Sequence, residues 1–236
     1  MSSATAIVTV PPPDAPLRDR IREVATEVLI RNGYQGFRFR DVAAALDTTR
    51  TNVHYHFGGK ESLCDEVVVA YVEETSRRFE RIWTARGPLT DKILGTMESN
   101  RSRYLKYNPG ADTARPWSLI ARMRLERDQI GDKARNALAN FSVDLERLIT
   151  QGIEAAIGAG ELRADAPVED IALQLVAIIN SADPITQDAG SFDRLETLYR
   201  GLARIVLHAY GLRQPADERK RLVWGKRAEL GGSRRI

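Results

Sequence analysis

The sequence predicts an all-α chain, with a small three-helix unit at its N-terminal end and a larger helical domain after it. Three observations lead there. Apolar residues recur at helical spacing from about residue 17 to residue 210. No segment shows the strict apolar–polar alternation of a half-buried strand. Two short helical patterns meet at the tight turn Asp47-Thr48-Thr49, which is the layout of a helix-turn-helix.

The elements follow in order. Residues 1–16 are rich in Pro, Ser and Thr and read as a disordered arm. A first helix starts near Leu17, with Ile21, Val24, Ala25, Val28 and Leu29 on one face, and Gly33 stops it in a left-handed conformation. A second presents Phe39, Val42, Ala43 and Leu46 inward. Thr48 or Thr49 caps a third, which begins near Arg50, and Gly58-Gly59 breaks it. A long helix spans about 60–83 with Leu63, Val67, Ala70 and Tyr71 opening its stripe and Val72, Phe79 and Trp83 continuing it. Further helices are expected at 89–107, around Trp117–Asp128, at 132–157, at Val168–Ala182 and at Phe192–Tyr210. Pro184 and Gly190 separate the last two.

The resulting division is an arm at 1–16, a helix-turn-helix domain at 17–64, a helical domain at 65–212 and a tail at 213–236. The 236 residues suffice to bury a sizeable core, and 43% apolar with 28% charged content is that of a soluble globular chain. One cysteine, Cys64, excludes an intrachain disulfide framework and fits a reducing compartment. The start lacks the basic, apolar pattern of a signal peptide, and no apolar run reaches membrane-spanning length, so a cytoplasmic location with no membrane partner is expected. Net charge is +3 but uneven: +2 over 17–64, −3 over 65–212 and +5 over the tail. A near-neutral middle between basic ends suits a nucleic-acid binder, although solvated surface charge explains most of these residues one by one.

The last two helices carry unusually broad apolar arcs. Ile171, Ala172, Leu175, Ile178 and Ile179 form one stripe, widened by Leu173, Val176 and Ala177. Leu195, Leu198, Tyr199, Leu202, Ile205, Val206 and Ala209 form another, extended by Leu207 and Tyr210. Such breadth implies burial on two sides, which a homodimer provides and a larger core would also provide.

The third helix is polar where it faces outward. Val53 and Phe57, four residues apart, face the core, and Thr51, Asn52 and Tyr55 lie largely opposite with Arg50 and His54 flanking them. That surface suits a major groove about 12 Å wide, where amides, hydroxyls and guanidinium groups meet base edges. A solvent-facing capping turn is the alternative. His54 and His56 project about 200° apart at two-residue spacing, so they cannot readily share an ion. Three histidines and one cysteine make no convincing zinc set. Cys64 reads as a small buried hydrophobe. Neither a phosphate-cradling glycine loop nor a nucleophile elbow is present, so no catalytic residue, metal or cofactor is expected.

The run NGYQGFRFRDVAAALDTTRTNVHYHFGGKESLCDEVV resembles the DNA-binding signature of the tetracycline-repressor (TetR-type) regulators across Ile21–Val68. The shared features are Gly33, Asp41-Val42-Ala43, Tyr55-His56-Phe57 and Lys60-Glu61-Ser62-Leu63. The resemblance implies a DNA-contacting set of Arg40, Thr49, Arg50, Thr51, Asn52, His54, Tyr55 and Lys60. His54 stands where the family usually has a tyrosine, and Arg38 where a Ser or Thr cap is common; Arg38 then caps weakly or holds phosphate through its side chain. His56 reads as structural, packed under the fourth helix.

For residues 65–212 the resemblance implies a small-molecule pocket and a dimer face, and hence a repressor that releases a pseudo-palindromic double-stranded DNA operator when an effector binds. Met97, Arg101, Tyr104, Trp117, Met123, Phe141 and Asn180 are the candidate lining, although each aromatic or Met also suits plain core. Met and aromatic residues would favour an apolar or aromatic ligand, and Arg101 could either select an acid or simply lie on the surface. The competing reading is a DNA-binding, nucleoid-organising or protein-interaction module without a ligand switch, which a fully packed interior would support. Arg18 and Arg20 could reach a minor groove. The basic tail with Trp224 could attract phosphate, pack on a partner subunit or be disordered.

Overall fold

A computed structural model of the chain describes residue 12 and residues 14–110 and 114–212. Most of the N-terminal arm and the basic tail with Trp224 lie outside these residues. The described helices are α1 Leu17–Gly36, α2 Phe39–Ala45, α3 Arg50–Phe57, α4 Lys60–Thr84, α5 Leu89–Tyr107, α6 Leu119–Leu125, α7 Asp132–Gly158, α8 Val168–Asn180, α9 Ala182–Ala189 and α10 Asp193–Tyr210. A 3-10 turn, Arg127–Gln129, follows α6, and one antiparallel bridge joins Leu162 to Gly211. The fold is all-α, as its periodicity predicts.

In α1, Ile21, Val24, Ala25, Val28 and Leu29 are all buried. Gly33 kinks this helix rather than ending it: its φ of 68° and ψ of 179° are open to glycine alone, and a further turn follows to Gly36. α2 and α3 pack on α1 and α4 through Val42, Ala43, Leu46, Val53 and Phe57. Arg18, in α1, donates to the His56 carbonyl at 2.8 Å and pairs with Glu66 of α4. Arg20 is also inside α1. Both therefore lie within α1 and not in an arm ahead of it.

α4 is the spine of the larger unit and packs along α7 more than along any other helix. Gly152 lets the two helices close: a Cβ there would lie 2.5 Å from Cε3 of Trp83. Trp83 donates its indole N–H to Thr96 at 3.1 Å. The buried Lys92 ammonium bonds the carbonyls of Trp83 and Ala85, placing a cation where α4 leaves acceptors unsatisfied.

Three boundaries differ from the sequence reading. Trp117 and Ser118 precede α6, with Ser118 accepting the Ala121 N–H as N-cap, and only the 3-10 turn continues past Leu125. α8 stops at Asn180. The supposed break at Pro184 is the separate helix α9. Pro184 is its third residue, in the first turn, where a missing N–H breaks no intrahelical bond.

α8 and α10 bury one face and expose another. Ile171, Leu175, Tyr199 and Leu202 are inside, whereas Leu173 is 59% and Ile205 66% exposed, with Leu198 of α10 also outward. The broad arc therefore splits into a core stripe and an uncovered apolar strip.

Candidate nucleic-acid interface and internal cavity

The turn before α3 is held by its own side chains. Asp47 takes a positive φ of 49°, a conformation that Asp tolerates better than most residues. Thr49 accepts the Asn52 backbone N–H at 3.1 Å, so it is the N-cap. Thr48 accepts the Asn52 amide at 3.1 Å. Asn52 is thus turned back onto the loop, and both Asn52 and Thr49 organise the turn.

The outward face of α3 carries Arg50, Thr51, His54 and Tyr55, with Tyr55 84% exposed. These four, with Arg40 and Lys60, line one open groove of about 860 Å³, whose walls also include Phe37, Arg38, Phe39 and Gly59. His54 meets Phe39 edge-on at 6.0 Å. Arg40 is exposed and pairs with Asp41 at 3.4 Å. Lys60 opens α4 with its ammonium 4.4 Å from the Tyr34 ring centroid. Partial burial, and then the neighbouring Arg38, hold the Lys60 pKa below the usual lysine value. The groove combines four cations with hydroxyl and aromatic groups at one helix-sized opening, so it can meet phosphates at its walls and base edges along α3.

Arg38 makes no side-chain cap; its guanidinium reaches the carbonyls of Gln35 and Phe37. His56 is half-buried, its ring lies against those of Tyr55 and Phe57, and its backbone carbonyl accepts from Arg18 of α1. Tyr34 supports Lys60 with its ring, a role that its position one residue after the kinking Gly33 does not signal in the sequence.

Inside the larger unit, α4, α5, α6, α7, α8 and α9 converge on a cavity of about 40 Å³. Of the candidate lining residues, Trp117, Phe141 and Asn180 face it. Met97, Arg101, Tyr104 and Met123 do not. Met97, Tyr104 and Met123 are buried in the core. Arg101 pairs with Glu196 and lies over the Phe192 ring at 5.2 Å, fastening α5 to α10. Its proposed selection of an acid therefore has no geometric basis.

The cavity wall is more polar than the sequence reading expected. Arg78, Arg103 and Arg124 line it with Tyr71, Thr75 and Asn100. Asp183 accepts the Trp117 N–H at 2.9 Å and the Gln187 amide at 3.0 Å, and burial raises its pKa to about 6. Burial lowers the pKa of Arg124 and, together with the adjacent Arg103, that of Arg78. On α4, Tyr71, Thr75 and Arg78 recur at helical spacing, and this polar stripe was the available signal.

Cys64 is buried, and its thiol pKa is pushed up to about 12, chiefly by that burial, which makes it a poor nucleophile. Among the described residues, no group of three or more His, Cys, Asp or Glu side chains is placed to hold a metal, and no helix is long and apolar enough to cross a membrane.

The sequence model for bacterial regulatory proteins of the tetR family matches residues 21–67. The HTH-type transcriptional regulator QacR of Staphylococcus aureus is 28% identical over 92 residues, which make up 39% of this chain and 43% of QacR. The alignment thus spans less than half of that regulator. A TetR transcriptional regulator from Legionella pneumophila superposes with a TM-score of 0.68 at 16% identity, covering 83% of this chain and all of the other. A protein from Saccharomonospora viridis, described as a transcriptional regulator and solved in complex with choline, gives 0.67 at 21% identity over 84% of this chain and 98% of its own. At such identities these two likenesses concern the fold.

Proposed function

Since the chain belongs to the tetR family of bacterial regulatory proteins, we propose that it is a homodimeric repressor that releases a pseudo-palindromic operator when a small molecule occupies its larger domain. The observation that carries the reading is the single groove lined by Arg40, Arg50, Thr51, His54, Tyr55 and Lys60 around an exposed α3. In it, Tyr55, Thr51 and Arg50 read bases, while Lys60 and Arg40 hold phosphates. Thr49 and Asn52 shape the turn that aims them. The apolar strip with Leu173 and Ile205 supports pairing of two copies, which presents two α3 helices to half-sites about 34–36 Å apart.

The cavity and the groove sit in different units, so an effector acts through the packing between them. It need only prefer the conformation that binds DNA poorly, by the roughly 1–3 kcal/mol of an ordinary allosteric coupling. Selection of binding sites from random duplexes tests the reading. The expected product is a two-fold-related motif, bound by a dimer; unselective duplex binding would overturn it. The second reading, a DNA-binding module without a ligand switch, rests on the small cavity volume of about 40 Å³. It expects selective DNA binding that no small molecule changes.

A further inference from the structure

We propose that the cavity accepts an anion, specifically the carboxylate of a small aromatic acid, between Arg103 and Arg124 with Arg78 alongside. This rests on the reading of the larger domain as an effector-binding unit and assigns the chemical class of that effector.

Three observations converge on it. Arg124, on α6, donates to two neutral groups, Asn180 Oδ1 and Ser142 Oγ, each at 2.7 Å. Arg103, on α5, lies over the Tyr71 ring at 4.2 Å, and its buried Nε has no hydrogen-bond partner. Arg78 has one carboxylate neighbour, Glu74 at 3.0 Å, which lines the outer groove and not the cavity. Asp183 is the one carboxylate among the described lining residues, and it is engaged by Trp117 and Gln187. Two half-buried guanidinium groups, Arg124 bonded only to neutral partners and Arg103 with an unpartnered Nε, leave a desolvation cost that an incoming anion offsets. A cation would add to that cost.

The shape agrees. The cavity, about 40 Å³, exceeds the roughly 10–15 Å³ that one water requires, so it receives one small head group. Beyond it, an open groove of about 990 Å³ runs between α1, α4 and α5. Tyr71, Arg78, Ser99 and Arg103 line both spaces. The Arg103–Tyr71 stack is therefore the partition between them. Arg103 leaves Tyr71 to meet the carboxylate, and the opened wall admits the ring toward Phe79, Phe141 and Trp117. Arg124 draws α6 toward the same carboxylate. The contrast with the relative solved with choline, a cation, is one of charge.

Calorimetric titration of the full chain with benzoate, its uncharged isostere benzamide and choline tests this at neutral pH. Benzoate is expected to bind at least about tenfold tighter than either competitor, the discrimination of a buried charge pair. Arg103→Gln and Arg124→Gln are each expected to weaken benzoate by about tenfold or more, with melting temperatures recorded to exclude misfolding. Benzamide or choline equal to benzoate, benzoate affinity unchanged in both variants, or no benzoate binding at millimolar concentration would each overturn the assignment. The wild-type ligand comparison decides the matter even where a variant fails to fold. Duplex binding is measured on the same preparation. Selective DNA binding without benzoate binding ends the anion assignment alone, whereas absent DNA binding ends the regulator reading.

Discussion

Gln35, in the turn after the Gly33 kink, donates its backbone N–H to Glu126 Oε2 at 2.9 Å. Glu126 also holds Arg122 at 3.1 Å, and a Cβ at Gly33 would lie 1.9 Å from Glu126 Oε1. Two residues before Glu126, Arg124 lines the cavity. The end of α6 thus touches the smaller unit and the cavity within three residues, and a shift of α6 moves the α1 end that backs the groove.

Replacing Glu126 by Ala removes that acceptor. Stability in urea is expected to fall by about 1.5–3 kcal/mol, the range for a hydrogen bond to a charged group. Operator affinity without effector changes little, but the ratio of affinities with and without effector moves toward one. Fluorescence anisotropy checks this; an unchanged ratio would route the coupling elsewhere, for example through α4.

Tyr55→Ala and Thr51→Ala should each reduce selectivity for operator over random duplex, by about 1–3 kcal/mol per lost base contact, with the helical signal intact. Lys60→Ala should weaken all duplexes alike and reduce the salt slope by about one. Retained selectivity in both α3 variants would remove α3 as the reader.

The apolar strip makes its own prediction. Glu in place of both Leu173 and Ile205 puts charges on a surface whose companions are apolar. Sedimentation is expected to report the 26.4 kDa monomer in place of a dimer. Operator binding should then fall steeply, because one α3 engages only one half-site.

Asp183 sets a pH dependence. Burial raises its folded pKa from 3.8 to about 6, so between these values the folded state binds more protons than the unfolded one, and stability falls as pH rises. The cost, up to about 3 kcal/mol, is absent below the unfolded pKa and complete above the folded one. Asp183→Asn should flatten this part of the profile in urea titrations from pH ~4 to ~7; a parallel profile would relieve Asp183 of the role.

Gly152→Ala should lower stability by about 1–3 kcal/mol through overpacking, since its methyl group would meet the Trp83 ring. Thermal unfolding reads this directly, and an unchanged midpoint would mean that α4 and α7 can separate without cost.

Helix positions were largely legible because each long helix presents a repeating apolar face to one core. α9 was not, because Pro184 reads as a breaker until its place in a first turn is known. Asn52 shows the same limit at the groove. Helical spacing places it near the outer face of α3, but the left-handed Asp47 brings Thr48 within 3.1 Å of its amide. Arg101 looked like an acid-selecting residue by type alone, and Glu196, 95 positions away, neutralises it.

The sequence by itself determined the all-α class, the turn that introduces α3, the exposed Tyr55 beside buried Val53 and Phe57, and the surplus apolar surface of α8 and α10. Each follows from spacing along one helix, where 100° per residue settles which side chains share a face. Only the tertiary structure decided which arginines line a cavity, which carboxylates answer them, and that Glu126 reaches Gln35. Those relations join helices far apart in the chain, and no local periodicity encodes the distance between them.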